Sequence, residues 1–348
     1  IAGHLADGHT RISRKPSVCL VGPEGFANAI PAMMEAWGER SPVIFVTGSS
    51  TLKKQGAGGF KEIDDVSIAR PLTKYSASIT DGNRISEFVD RAWRIATSGY
   101  PGPVHLSMPV DIMFSSFDES ASDMERPFTR KESKTYKAWP EPSALNEIIG
   151  IIKSSKKPII IGGHGIWWAK NEDLLKQVGD EIEIPIFNVP YHQKLLNENC
   201  KAFLGLADVH QYHPSKFAFN ESDCIIMVGG RLDNQMNFGN PPLFPASSRL
   251  ICVNGSHEEI EFNRAADHLL LSDPGAFFEG LLSSFHTDKF SLEKDWLVKN
   301  IEERKKWVTA SVNNLVETTN SPAWSGGKIH PLELSLSVQK CMTDQDIL

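Results

Sequence analysis

Two glycine turns and one arginine form the clearest chemical pattern that residue type and spacing define. Pro158-Ile159-Ile160-Ile161 reads as a buried strand running into Gly162-Gly163-His164-Gly165 and then into a helix. Glycine lets backbone N–H groups approach a phosphate, and a helix start favours an anion. A second apolar strand, Asp223 to Val228, ends in Gly229-Gly230-Arg231, where an arginine fork suits two-point contact with phosphate. Both turns lie at the carboxyl ends of strands, where ligands bind in parallel sheets. A tight strand–helix turn needs glycine anyway, so a nucleotide cradle and plain packing both remain open. Histidine and cysteine offer less. His4 and His9 are five residues apart and do not share a helix face well. His210 and His213 flank an exposed-looking turn, and the five cysteines are far apart, so no metal site is expected. Cys19, Cys224 and Cys252 sit in apolar strand-like runs and read as reduced core thiols.

The elements that must position these residues alternate between strand and helix. Val18 to Val21 and Val43 to Val46 read as buried strands. Between them, Ala29, Met33, Ala36 and Trp37 fall on one side of a helix over 28–37. Arg84 to Thr97 reads as a helix before the strand Pro103 to Met108. A second series follows: helix 145–152, strand 158–161, helix 172–178, strand 184–187, strands at 223–228 and 250–253, and a closing helix 275–283. Such alternation predicts parallel sheets with helices on both faces, an α/β fold of two doubly wound domains. The charged, Ser-rich stretch 114–140 reads as a linker between a first domain (1–113) and a central domain (141–285). A connector is expected over 286–328, with a new helix starting in 329–348.

The chain has 348 residues, 41% of them hydrophobic, with a net charge of −7. At roughly 150 residues per domain that length holds two to three domains. No basic run points to nucleic acid, and no apolar run approaches the roughly 20 residues that cross a bilayer. The expected partner is a small-molecule substrate and the expected location cytoplasmic, with no nucleic acid and no membrane partner.

An ordered series of blocks carries a family resemblance. These are Ala2-Gly3-His4-Leu5-Ala6-Asp7-Gly8, Val18-Cys19-Leu20-Val21-Gly22-Pro23-Glu24-Gly25-Phe26-Ala27-Asn28, Pro42 to Ser49, Gly59-Phe60-Lys61-Glu62-Ile63-Asp64, Arg70-Pro71-Leu72-Thr73-Lys74 and Gly99 to Asp111. Together they resemble the pyrimidine-binding domain of acetolactate synthases and benzaldehyde lyases, which use thiamine diphosphate. The run Gly229 to Phe244 resembles the central domain of the same superfamily, in the form seen in benzaldehyde lyases and 2-hydroxyacyl-CoA lyases. The implied folds are a thiamine-diphosphate-binding domain and a Rossmann-like central domain.

The resemblance also implies roles. Gly25 and Asn28 match a Gly-x-x-Asn where backbone approaches the aminopyrimidine ring, with Glu24 departing from the usual Gly-Pro-Gly. Lys61 stands where many relatives carry Gln, so it presents a cation to a substrate carboxylate or lies on a solvated loop. Phe60 lines the cleft or packs under the loop. In the central domain Arg231 and Asp233 match part of an Arg-Phe-Asp-Asp-Arg run that helps hold FAD, but Gln235, Asn254 and Ser256 replace charged positions. FAD, ADP, CoA or an empty domain therefore stay open. The family's activating glutamate falls before Ile1, and its Gly-Asp-Gly…Asn motif for Mg²⁺ does not occur. The expectation is a chain truncated at both ends and inactive alone. Its intact parent would be a homodimer or homotetramer. That parent makes or breaks a carbon–carbon bond beside a carbonyl with thiamine diphosphate and Mg²⁺. Acetolactate-synthase-like transferase chemistry on 2-oxo acids leads, lyase or decarboxylase chemistry on 2-hydroxy ketones or 2-hydroxyacyl-CoA follows, and a non-catalytic nucleotide-binding regulator stands as a different class.

Overall fold

The computed structural model describes residues 1–116, 137–190, 195–208, 210, 213–259, 263–288, 292–293, 295–319 and 329–343. Most of the expected linker and parts of the expected connector lie outside these residues.

The first unit runs α1 (Ala2–Ser13), β1 (Ser17–Val21), α2 (Pro23–Glu39), β2 (Val43–Ser49), α3 (Asp65–Ala69), β3 (Ser76–Ser78), α4 (Ile85–Thr97), β4 (Val104–Pro109) and α5 (Val110–Met113). Its strands form one parallel sheet in the order β1-β2-β4-β3. The strands bury alternate residues on opposite faces. Cys19, Val43 and Phe45 pack against Ala6 of α1 and Phe26, Met33 and Ala36 of α2. Ile44, Val104 and Leu106 pack against Phe88, Ala92 and Ala96 of α4.

The central unit runs α6 (Pro142–Ser154), β5 (Pro158–Gly162), α7 (His164–Ala169), α8 (Glu172–Ile182), β6 (Ile186–Asn188), β7 (Phe203–Leu206), α9 (His213–Glu221), β8 (Cys224–Val228), β9 (Arg249–Asn254), β10 (His268–Leu271) and α10 (Pro274–Thr287). Its parallel sheet has the order β10-β9-β8-β5-β6-β7. One face sets Ile160, Ile226 and Ile251 against Ile152, Val178 and Phe278. The other sets Ile161, Ile225 and Met227 against Phe219, Phe244 and Trp296. Burial on both faces explains the unbroken apolar runs of β5 and β8. Two helices follow, α11 (Trp296–Thr319) and α12 (Pro331–Cys341).

The fold class is the expected one, with two parallel sheets flanked by helices. One local expectation fails. Val18 to Val21 is not a fully buried strand, because Val18 is 58% and Leu20 71% exposed. β1 lies at the sheet edge while α4 packs over β2 and β4, which leaves the outer face of β1 open. Trp37 likewise lies at the margin, with the Arg40 guanidinium 5.1 Å from its ring centroid. Strands β3, β7 and β10 add to the set expected from the sequence.

Candidate functional site

The carboxyl ends of β2, β3 and β4 open onto a polar cleft of about 270 Å³. Its walls include Ser49 at the end of β2 and Ser50 beyond it, Ser107 on β4, and Glu62, Asp65 and Arg70. Towards β1 it narrows into a smaller pocket bounded by Pro23, Phe26, Gly48, Lys61 and Asp65. Asp65 borders both spaces because it opens α3, whose N-cap Asp64 accepts a 3.0 Å bond from the Ser67 N–H. Two backbone N–H groups, Gly56 and Gly59, donate to Glu62 and hold its carboxyl below the usual range.

Behind Asp65 lies a buried polar cluster. Thr47 Oγ1 is 2.9 Å from Asp65 Oδ2 and 2.8 Å from His105 Nε2. His105 Nδ1 is 2.9 Å from Ser76 Oγ, which in turn donates to the Val66 carbonyl. Burial pushes the His105 imidazole down to about 4, against the pull of the Asp65 carboxylate. None of these four residues is among the site candidates that the sequence offers. A histidine inside the apolar run of β4 was the available signal.

The residues expected on the cofactor side gather at the rim of this cleft. Lys61 Nζ pairs with Glu24, and lies 4.5 Å from the Phe60 ring centroid. The two departures from the family pattern in the first unit, Glu24 and Lys61, are thus each other's partners. Lys61 has a φ of 62°, in the left-handed region that non-glycine residues rarely adopt. Phe60 neither packs under its loop nor lines the pocket, being 88% exposed. Gly25 is not in the strand–helix turn but inside α2, where a Cβ would come within 2.6 Å of Val21 Cβ. Asn28 is exposed and donates to the Glu24 carbonyl at 3.2 Å.

In the central unit the residues expected at a nucleotide make contacts within the protein. The N–H groups of Gly163 and Gly165 already donate to the Val228 and Gly229 carbonyls, at 2.8 and 2.7 Å. A Cβ on Gly163 would stand 2.5 Å from Gly229 O, so glycine here lets two turns touch. Gly162 similarly admits the Leu195 side chain. Arg231 forms a two-point pair with the buried Glu259. Asp233 accepts from the Gln235 N–H at 3.0 Å. Asn254 accepts from Ser256 N at 3.3 Å, and its buried Nδ2 has no partner among the described residues. Among the described residues, no three His, Cys, Asp or Glu side chains are placed to hold a metal.

Residues 1–68 match the family model for the N-terminal TPP binding domain of thiamine pyrophosphate enzymes, and residues 145–281 match the model for their central domain. The chain belongs to the thiamine pyrophosphate enzyme superfamily. Within that superfamily it is 28% identical over 326 residues to a probable acetolactate synthase large subunit of Methanococcus aeolicus, covering 91% of this chain and 52% of that protein. It is 27% identical over 317 residues to a 2-hydroxyacyl-CoA lyase of Arabidopsis thaliana, covering 88% of this chain and 52% of that one. A benzoylformate decarboxylase from Polynucleobacter necessarius superposes with a TM-score of 0.70 at 19% identity, over 84% of this chain and 54% of that structure. The chain therefore spans about half the length of the relatives it matches, with 52% of the curated ones covered. No helix among the described residues is long and apolar enough to cross a membrane.

Proposed function

We propose that the chain is part of a thiamine-diphosphate- and Mg²⁺-dependent enzyme that makes or breaks a carbon–carbon bond beside a carbonyl, with acetolactate-synthase-like chemistry on 2-oxo acids. The carrying observation is the likeness to an acetolactate synthase over 91% of the chain. The open polar cleft in the unit that matches the TPP binding domain supports the same reading.

The residues at that cleft fit one side of a flat, polar ring. Gly22 leaves an open shelf after β1, with Glu24 Oε2 the nearest atom to a virtual Cβ, at 3.8 Å. Ser49 and Ser50 supply hydroxyl groups, and Ile63 supplies apolar surface. When bound, thiamine diphosphate supplies a carbon nucleophile for a carbonyl. Lys61 would draw a substrate carboxylate to the rim in competition with Glu24. The rim exposes Phe60, so excluding water from it calls for a second surface, consistent with a homodimer or homotetramer. In the central unit, Gln235, Asn254 and Ser256 favour ADP, CoA or no nucleotide over FAD.

The Arabidopsis 2-hydroxyacyl-CoA lyase and the Phe238-Gly239-Asn240-Pro241-Pro242-Leu243-Phe244 run favour a second reading, cleavage of 2-hydroxyacyl-CoA. One assay separates them. The intact enzyme, given thiamine diphosphate and Mg²⁺, is expected to release CO₂ from pyruvate. Turnover of a 2-hydroxyacyl-CoA alone would move the assignment to the lyase reading, and turnover of neither would overturn both.

A further inference from the structure

The polar cluster behind Asp65 contains more acceptors than its obvious protons can serve. Ser76 spends its single hydroxyl proton on the Val66 carbonyl, so the contact at His105 Nδ1 requires the imidazole to donate there. The His105 tautomer is thereby set, with Nε2 facing Thr47. Thr47 also has one proton, yet its oxygen touches both Nε2 and Asp65 Oδ2, at 2.8 and 2.9 Å. With a bare Nε2 and an ionised carboxylate, one of these contacts would set acceptor against acceptor. One further proton is needed, on Nε2 or on Asp65.

We propose that His105, Thr47 and Asp65 form a proton relay ending at the cleft, where Asp65 exchanges a proton with an oxygen or nitrogen atom of a small polar ligand. The balance is simple. The Nε2 proton passes to Thr47 Oγ1 while Thr47 passes its own to Asp65 Oδ2. Imidazolium with carboxylate becomes imidazole with carboxylic acid, and the net charge of the pair stays zero. Burial of the ring favours the uncharged arrangement. A ligand atom that takes the proton from Asp65 leaves carboxylate and neutral imidazole; the reverse transfer restores the store. Asp65 is the end that meets the ligand because it borders both parts of the cleft, whereas His105 is fully enclosed. Glu62, Asp64, Lys61 and Arg70 are the other charged groups on those walls, and none hydrogen-bonds to the relay among the described residues.

The proton count is read by long-range ¹H–¹⁵N and carboxyl ¹³C spectra of this chain labelled at histidine and aspartate. His105 and Asp65 are assigned by signal loss in His105→Gln and Asp65→Asn. Nδ1 is expected to stay protonated, and release of the shared proton is expected to move His105 Nε2 and Asp65 Cγ in one step. Thr47→Val should split that step into two, while Thr47→Ser keeps it single. Independent titration in the wild type, or an unprotonated Nδ1, overturns the relay even if Thr47→Val does not fold. The role at the cleft rests on the cleft being the ligand site proposed above. In the intact enzyme Asp65→Asn should lower kcat about 10²-fold and flatten one limb of its pH profile, with KM little changed. A shared titration step beside an unchanged kcat would keep the relay and remove its role in turnover. An inactive wild type with the shared step intact would count against the proposed function, not against the relay.

Discussion

At the cleft rim a lysine expected to greet a substrate carboxylate already has one. Lys61 pairs with Glu24 across the rim, and both side chains are substantially exposed, so solvent weakens the pair. Under the proposed function, a substrate carboxylate would displace Glu24 at small cost. In the intact enzyme Lys61→Gln is expected to lower kcat/KM for 2-oxo acids by about 10²-fold, the usual loss on removing one stabilising group. Glu24→Gln should leave that value equal or higher. Unchanged kinetics for Lys61→Gln across several 2-oxo acids would remove it from the site. Gly163 makes a different residue-scale point. Its virtual Cβ meets backbone, Gly229 O and Gly230 Cα, both at 2.5 Å, and backbone cannot swing aside. Gly163→Ala should cost about 1–3 kcal/mol in urea unfolding, whether or not a nucleotide is present.

Elements are held at their ends by specific side chains. Asp273 caps α10 by accepting from the N–H groups of Gly275 and Ala276, at 2.9 and 3.2 Å. Because α10 packs Phe277, Phe278 and Leu281 into the central core, its start matters to the whole unit. Asp273→Ala should cost about 1 kcal/mol, read as a lower denaturation midpoint with an unchanged slope. Lys74 closes the other end of a helix. Its ammonium donates to the Ile95, Ser98 and Tyr100 carbonyls, at 2.5, 2.8 and 2.5 Å, gathering the last turn of α4 and the loop before β4. Burial lowers its pKa. Lys74→Met keeps the aliphatic stem but strands those carbonyls, and is expected to destabilise by about 1–3 kcal/mol, measured in the same unfolding experiment.

On the scale of the molecule, two helix ends in the first unit tie it to the central one. α1 and α2 both finish in left-handed arginines, Arg14 with φ 54° and Arg40 with φ 60°. Arg14 lies over the Trp167 ring at 3.4 Å and pairs with Glu172. Arg40 stacks on Tyr100 at 4.0 Å and meets Glu259 at 3.2 Å, where Arg231 also converges. Tyr100 bonds His164, and the Trp168 indole donates to the Glu39 carbonyl at 3.2 Å. Glu259 is thus a buried carboxylate shared by two guanidinium groups from different units. Glu259→Gln leaves two cations facing a neutral amide and should destabilise by about 3 kcal/mol or more. Unfolding should then separate into two steps, one per unit, followed by circular dichroism against urea. A single step at the wild-type midpoint would show that the link carries no stability.

Much of the architecture was legible in the chain itself. Unbroken apolar runs such as Ile159-Ile160-Ile161 and Ile225-Ile226-Met227 specify strands buried on both faces, and their alternation with amphipathic helices specifies parallel sheets. These are local patterns, so they survive without knowledge of the fold. Whether β1 is central or at an edge was not legible, because exposure of Val18 and Leu20 depends on what packs beside the strand. The glycines of the central unit show the same limit. Gly163 was visible as a conformationally free residue, but only tertiary packing reveals that the Gly229–Gly230 backbone comes this close beside it. Arg231 was visible as a cation, and its partner Glu259 lies 28 residues further along the chain. The buried cluster was least legible of all. Thr47, Asp65, Ser76 and His105 are spread over 58 residues on three strands and a helix. No spacing rule joins them. Hydrogen bonding acts over about 3 Å of space, and only the folded sheet brings these four within that reach.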